Sequence, residues 1–135
     1  MVCSKNRLVM EVKSGEARGF GFTIKNKSEI LQPDGTYYTP MDLTNYTVQF
    51  QVKKYPYFSV QSIIDKTVTT DEDMENGWIY NPEGGQFKVE LTLEDLNKLI
   101  PSQEYYVIIT LLNGNQRIII SGEGDKSGIL RFCKS

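Results

Sequence analysis

"YYVIITLLNGNQRIIISG", residues 105–122, is the stretch that decides the fold. Two apolar, β-branched runs flank Asn-Gly, the strongest short-range signal for a two-residue hairpin loop with both central residues at positive φ. With Asn113 and Gly114 as that loop, pairing outward sets Leu112 opposite Asn115, Thr110 opposite Arg117, Ile109 opposite Ile118, Ile108 opposite Ile119 and Val107 opposite Ile120. Side chains alternate across a sheet. One face then carries Tyr105, Val107, Ile109, Leu111, Ile118 and Ile120 and reads as a core face. The other carries Tyr106, Ile108, Thr110, Leu112, Arg117 and Ile119, too apolar for open water and too polar for a dry interior. A patch of that kind calls for a cover, either a loop of the same chain or a partner.

Outward from the hairpin, strand-like segments recur with turn residues between them, the pattern of a sandwich or barrel. "RLVMEV" sets Leu8, Met10 and Val12 on one face, and "GFGFTIKN" aligns Phe20, Phe22 and Ile24. "TVQFQVKK" turns Val48, Phe50 and Val52 inward, and "QFKVELTL" does the same with Phe87, Val89, Leu91 and Leu93. "QSIIDKTVTT", "GWIY" and a final "GILRF" complete the set, giving seven to nine strands. One helical piece interrupts them near residues 93–100. In "TLEDLNKLIP", Thr92 and Asp95 fit a capping box, Leu96, Leu99 and Ile100 supply an apolar stripe, and Pro101 stops the helix within two turns. Residues 26–46 and 70–77 read as long loops, where function tends to sit.

The run that follows the helix, "LIPSQEYYV", is similar to the leucine-proline-tyrosine-valine approach to strand F of fibronectin type III domains. Leu99, Pro101, Tyr105 and Val107 carry the likeness. It implies a tyrosine corner at Tyr105, in which a buried ring returns its hydroxyl to the connecting backbone. Tyr105 as an ordinary core aromatic stays open beside it.

At 135 residues the chain has the size of one domain, 1–135, able to bury a core without metal or disulfide staples. A formal net charge of -2 and the lack of a basic stripe argue against a nucleic-acid partner. Two cysteines, Cys3 and Cys133, are spaced too widely for a metal knuckle or a disulfide framework. Free thiols are expected, and a bridge would require the first and last strands to be neighbours. No uncharged run is long enough to span a bilayer and no signal peptide is legible, so synthesis in the cytosol without export by that route is expected.

Chemistry is sparse. The chain has no histidine, which removes the commonest general base, the Ser-His-Asp and Cys-His arrangements and most transition-metal sites. In "TDEDMENG", Asp71, Glu72, Asp73 and Glu75 stand in a turn with no apolar wall to raise one pKa, so no catalytic role is assigned. A calcium loop fails there because Asn76 and Pro82 occupy the places of the required glycine and glutamate. "GEGDKSG" lacks the ending of a phosphate loop. No cofactor or metal is expected. What remains is aromatic: Tyr37, Tyr38, Tyr57 and Trp78 in loops could stack on a sugar or anchor a protein partner, while core packing is the plainer role for any one of them.

Several stretches together resemble the immunoglobulin-like domains of bacteriophage tail and baseplate proteins, notably the N-terminal domain of baseplate upper proteins. "MDLTNYTVQFQVKK" is similar to that family's Asp-Leu-Thr-Gly-Tyr strand opening, matched by Asp42, Leu43, Thr44 and Tyr46, with Asn45 in place of the glycine. "GGQFKVELTLED", "PSQEYYVIITLLNGNQRIIISG" and "SGILRF" resemble its later strands. The resemblance implies an all-β, immunoglobulin/fibronectin III-like antiparallel β-sandwich that serves as a non-enzymatic virion structural protein. Its partners would be other virion proteins or further copies of itself, with no nucleic acid and no membrane. The chain stops where baseplate upper proteins continue, which leaves tail, baseplate, neck and head-decoration positions open. On this reading Tyr106, Ile108, Leu112, Arg117 and Ile119 are the partner interface, and Ile108→Lys should weaken association with the fold intact. The alternative is a carbohydrate- or receptor-binding module that uses Tyr37, Tyr38, Tyr57 and Trp78.

Overall fold

The computed structural model describes residues 8–13 and 16–133, and across them the chain is all-β with one short helix. The larger sheet has the order β1 (Val9–Lys13), β11 (Gly128–Cys133), β9 (Glu104–Asn113), β5 (Thr47–Lys53) and β6 (Ser62–Val68), with β10 (Gln116–Ser121) also paired to β9. A smaller sheet has the order β2 (Arg18–Thr23), β8 (Gln86–Leu91) and β7 (Gly77–Asn81). A third, two-stranded ribbon pairs β3 (Lys25–Lys27) with β4 (Tyr38–Pro40). The described strands thus number eleven, beyond the seven to nine expected, because the ribbon forms almost wholly within the stretch 26–46 read as a loop. The pairing is also not wholly antiparallel, since β1 lies parallel to β11.

The period-2 patterns explain the two main sheets. Val48, Phe50 and Val52 of β5 and Phe87, Val89 and Leu91 of β8 are buried, and the residues between them are less so. Phe22 links the layers: its ring stacks on Phe87 of its own sheet at 5.1 Å and meets Phe50 of the larger sheet at 6.2 Å. Burial of such side chains is worth roughly 1.5–3 kcal/mol each. Leu93, expected inward, is exposed because it opens the helix instead of extending β8.

The helix α1 (Leu93–Leu96) keeps within the expected limit of two turns but ends short of residue 100. Its capping box forms as read: Asp95 N–H donates to Thr92 Oγ1 at 3.2 Å, and Thr92 N–H donates back to Asp95 Oδ2 at 2.9 Å. Leu96 and Leu99 are buried, but Ile100 is exposed and lies outside the stripe. Asp95 also meets Lys66 of β6 at 2.5 Å in an ion pair shielded from solvent, and Lys66 Nζ donates to the Glu75 carbonyl at 2.6 Å. One lysine therefore ties β6, the turn before β7 and α1 together.

Tyr105 is buried at the start of β9. Its hydroxyl accepts from the Ile100 N–H at 2.7 Å and donates to Gln103 Oε1 at 3.4 Å, joining the ring to the segment that leads out of α1. The first and last strands are neighbours, with Cys133 of β11 in register with Lys13 of β1; Cys3 lies outside the described residues.

Candidate functional site

The opening hairpin forms, but in a shifted register. Asn113 pairs with Gln116, Leu112 with Arg117, Leu111 with Ile118 and Thr110 with Ile119, so the loop is Gly114-Asn115. Gly114 takes φ +58° at the first loop position, where a type II′ turn asks for glycine. Because the slip moves each pair by an even step, both faces keep the residues assigned to them as far as Ile119. Beyond it a bulge sets Ser121, not Ile120, opposite the core position Ile109. Ser121 is buried, its hydroxyl donating to the Val107 and Lys126 carbonyls, and Ile120 is 40% exposed instead of lying in the core.

β9 is flanked by β5 on one side, while its other side is shared: β11 pairs with its first half and β10 with its second. The outer face of this sheet is the second face of the hairpin. Its cover comes partly from the chain itself. The loop after β5, residues 54–61, folds back, and Lys53 Nζ donates to the Tyr57 and Phe58 carbonyls at 3.2 and 2.9 Å. Phe58 lies under the Arg117 guanidinium at 4.2 Å, its N–H donates to the Glu123 carboxylate, and Gly124 N–H donates to the Pro56 carbonyl at 2.8 Å. Lys53 is only 2% exposed, and burial pushes its ammonium below the usual lysine range against the pull of Asp65 and Glu123.

The expected interface residues fall into two groups by burial. Ile108 is 0% exposed and Thr110 is buried with it, while Tyr106 and Leu112 are half-buried. Arg117 and Ile119 are exposed, Ile119 by 49%. The expectation for Ile108→Lys is therefore corrected: a lysine at a fully buried position disturbs the fold and does not report on association. Sequence reasoning missed Ile120 and Glu123 at this site. Phe58, Ile119, Ile120, Glu123, Asp125 and Lys126 line one depression, which therefore combines apolar side chains with both signs of charge.

The aromatic candidates are not gathered. Trp78 sits on β7, its ring 6.1 Å from Tyr80 and its indole N–H donating to the Thr70 carbonyl at 2.9 Å. Tyr57 lies in the loop after β5, Tyr38 opens β4 of the ribbon and Tyr37 just precedes it; none of the three makes a ring contact with Trp78. Tyr37 and Tyr38 flank a broad depression with Lys27, Ser28, Glu29 and Thr36, and the connection before them exposes Ile30 and Leu31.

The acidic turn serves structure. Asp73 accepts from the Asn76 side chain and from the Glu75 and Asn76 N–H groups, bonds that hold its carboxyl below the usual carboxylate range. That direction is opposite to what a general acid needs. Among the described residues no three acidic, cysteine or histidine side chains are gathered as a metal site would require, and no helix is long and apolar enough to cross a membrane. No protein-family model matches the chain, and no match to a curated protein is found.

Proposed function

We propose that this chain is an immunoglobulin-like β-sandwich and a non-enzymatic assembly module of a bacteriophage particle, engaging protein partners through the outer face of the β9–β10 hairpin. The observation that supports the binding role is the exposed pair Ile119 and Ile120 beside the Arg117–Phe58 contact: apolar side chains next to charged ones are the composition of a protein interface. The fold reading draws support from strand order. An immunoglobulin domain sets strands B, E and D on one sheet and C, F and G on the other, with an extra C′ strand beside C in variable types. Here β2, β8 and β7 follow the first order, and β11, β9, β5 and β6 follow G, F, C and C′. Tyr105, bonding back from the start of β9 to Ile100, fits the tyrosine corner of strand F. The particle context rests on the sequence resemblance around Asp42–Tyr46 and the closing hairpin.

Quantitative mass spectrometry of purified particles made from the genome that encodes the chain tests this reading. The expected result is the chain at many copies per particle, reduced by Ile119→Lys. Its absence from the particles would overturn the proposal. A second reading, a glycan-binding module, is favoured by Tyr37, Tyr38, Glu29 and Thr36 lining one depression. Glycan binding lost in Tyr37→Ala and Tyr38→Ala would establish it over assembly.

A further inference from the structure

We propose that the partner on the hairpin's outer edge is a second copy of this chain, joined β10 to β10 in antiparallel fashion across a two-fold axis. This rests on the interface reading above and adds the identity of the partner and the geometry of the contact.

An edge strand offers unpaired backbone groups to any passing strand, and natural proteins blunt such edges with charges, prolines or a covering segment. β1 exposes Glu11 and Lys13, and β6 exposes Asp65. β2 is broken up by Gly19 and Gly21, and β7 is partly covered by the Asp73–Gly77 bridge and the bond from Ile79 N–H to the Thr69 carbonyl. β10 is different. Among the described strands it pairs with β9 alone, and its sequence QRIIIS contains one charge, Arg117, whose guanidinium is drawn over Phe58. Ile119 and Ile120 stand exposed on this strand.

Charge placement selects the partner and the direction. Arg117 lies near the start of β10, while its end is followed by the exposed Glu123, Asp125 and Lys126, acidic on balance. Antiparallel pairing of β10 with its own copy brings the start of one strand to the end of the other, so Arg117 of each copy meets the acidic pair of its mate. Parallel pairing would set Arg117 beside Arg117. A two-fold contact repeats each favourable pair twice and closes, so it yields a dimer and not a fibre. The isoleucines of both copies would then be covered together, continuing the sheet through β9, β10 and their mates.

Light scattering of the purified chain from about 1 μM to 1 mM tests the proposal, since weak interfaces fall in that range. The expected result is a rise from 15.4 kDa to twice that mass. Ile119→Lys, Arg117→Glu and Asp125→Arg should each weaken the dimer at least about tenfold, because like charges or a buried ammonium would face each other across the contact. An equimolar mixture of Arg117→Glu and Asp125→Arg should recover a dimer that neither forms alone, since both cross-axis pairs are then of opposite sign. Thermal melts confirm that each variant is folded. A mass of 15.4 kDa throughout, a dimer indifferent to all three substitutions, or no recovery in the mixture would overturn the inference. A monomer that still enters particles would sink this contact alone. A chain absent from particles yet dimeric through β10 would sink the particle reading alone.

Discussion

Removing the Asp95 carboxylate should destabilise the chain by about 3–5 kcal/mol, the cost of breaking a buried ion pair from one side. The structure sets the terms. In Asp95→Ala, Lys66 Nζ keeps only the Glu75 carbonyl, and Thr92 N–H loses its acceptor across the capping box. In Lys66→Met, Asp95 keeps its bonds from the Thr92 N–H and hydroxyl, so the loss should be smaller, about 2–3 kcal/mol. Together the two changes leave neither charge stranded, and the double variant should be less destabilised than the sum by about 2 kcal/mol. Urea titration followed by the fluorescence of Trp78, the only tryptophan, measures all four states of the cycle. The acid limb adds a second check. Burial raises the Asp95 pKa, but the Lys66 ammonium and the Thr92 donors outweigh it, and the carboxyl titrates below the ordinary range. A depressed folded-state pKa contributes stability that is complete above the unfolded value, about 3.9, and is lost as pH falls through the folded value. Wild type should therefore lose more stability than Asp95→Asn as pH drops below about 4. Strictly additive single variants, or parallel acid limbs, would refute the view that this pair holds α1 to β6.

Tyr105→Phe should cost about 1–3 kcal/mol in the same titration, because the Ile100 N–H loses its acceptor; no measurable loss would remove the structural case for a tyrosine corner. Gly77→Ala should cost more than Gly114→Ala: at φ +128° an added Cβ would stand 2.1 Å from the Lys88 carbonyl, whereas at Gly114 nothing is near and only the φ of +58° penalises it, by about 1–2 kcal/mol. Phe58→Ala should reduce stability by about 1–2 kcal/mol and raise the fluorescence of a hydrophobic dye by uncovering the face that holds Ile108; unchanged dye binding would mean that the loop does not shield it.

The alternation in TVQFQVKK and QFKVELTL was legible because each strand packs one face on the core and leaves the other half-wet, the condition under which period 2 is a clean signal. The capping box was legible for a similar reason, since Thr92 and Asp95 act within a single turn. The hairpin register was not. NGN offers two asparagines around one glycine, and the choice between them depends on how β9 meets β5 and β11, partners far away in sequence. Ile120 was misplaced for the same kind of reason, because a bulge inserts a residue and reverses every later face assignment. The parallel β1–β11 pair and the loop over Ile108 are long-range facts with no local trace. KYPYFS reads as a turn-rich aromatic segment whatever surface it ends up covering.

That last point changes how substitutions on the hairpin are to be interpreted. The outer face is one continuous row in sequence terms, yet it has a dry half around Ile108 and an open half around Ile119, and residues 54–61 reach it at Lys53 and Arg117. The dry half is held by bonds that depend on Lys53, an ammonium with backbone carbonyls as its direct partners, and by Phe58 under Arg117. Arg117 thus belongs to both halves: it packs the covering loop and supplies the charge at the rim. Replacing it with alanine would mix the two effects. Charge reversal at Asp125, which lies beyond the end of β10, isolates the rim, and Phe58→Ala isolates the cover. If association responds to Asp125 and not to Phe58, the loop is a fixed part of the fold. If both respond, the loop shapes the surface on which the partner sits, and the covered and open halves act as one site.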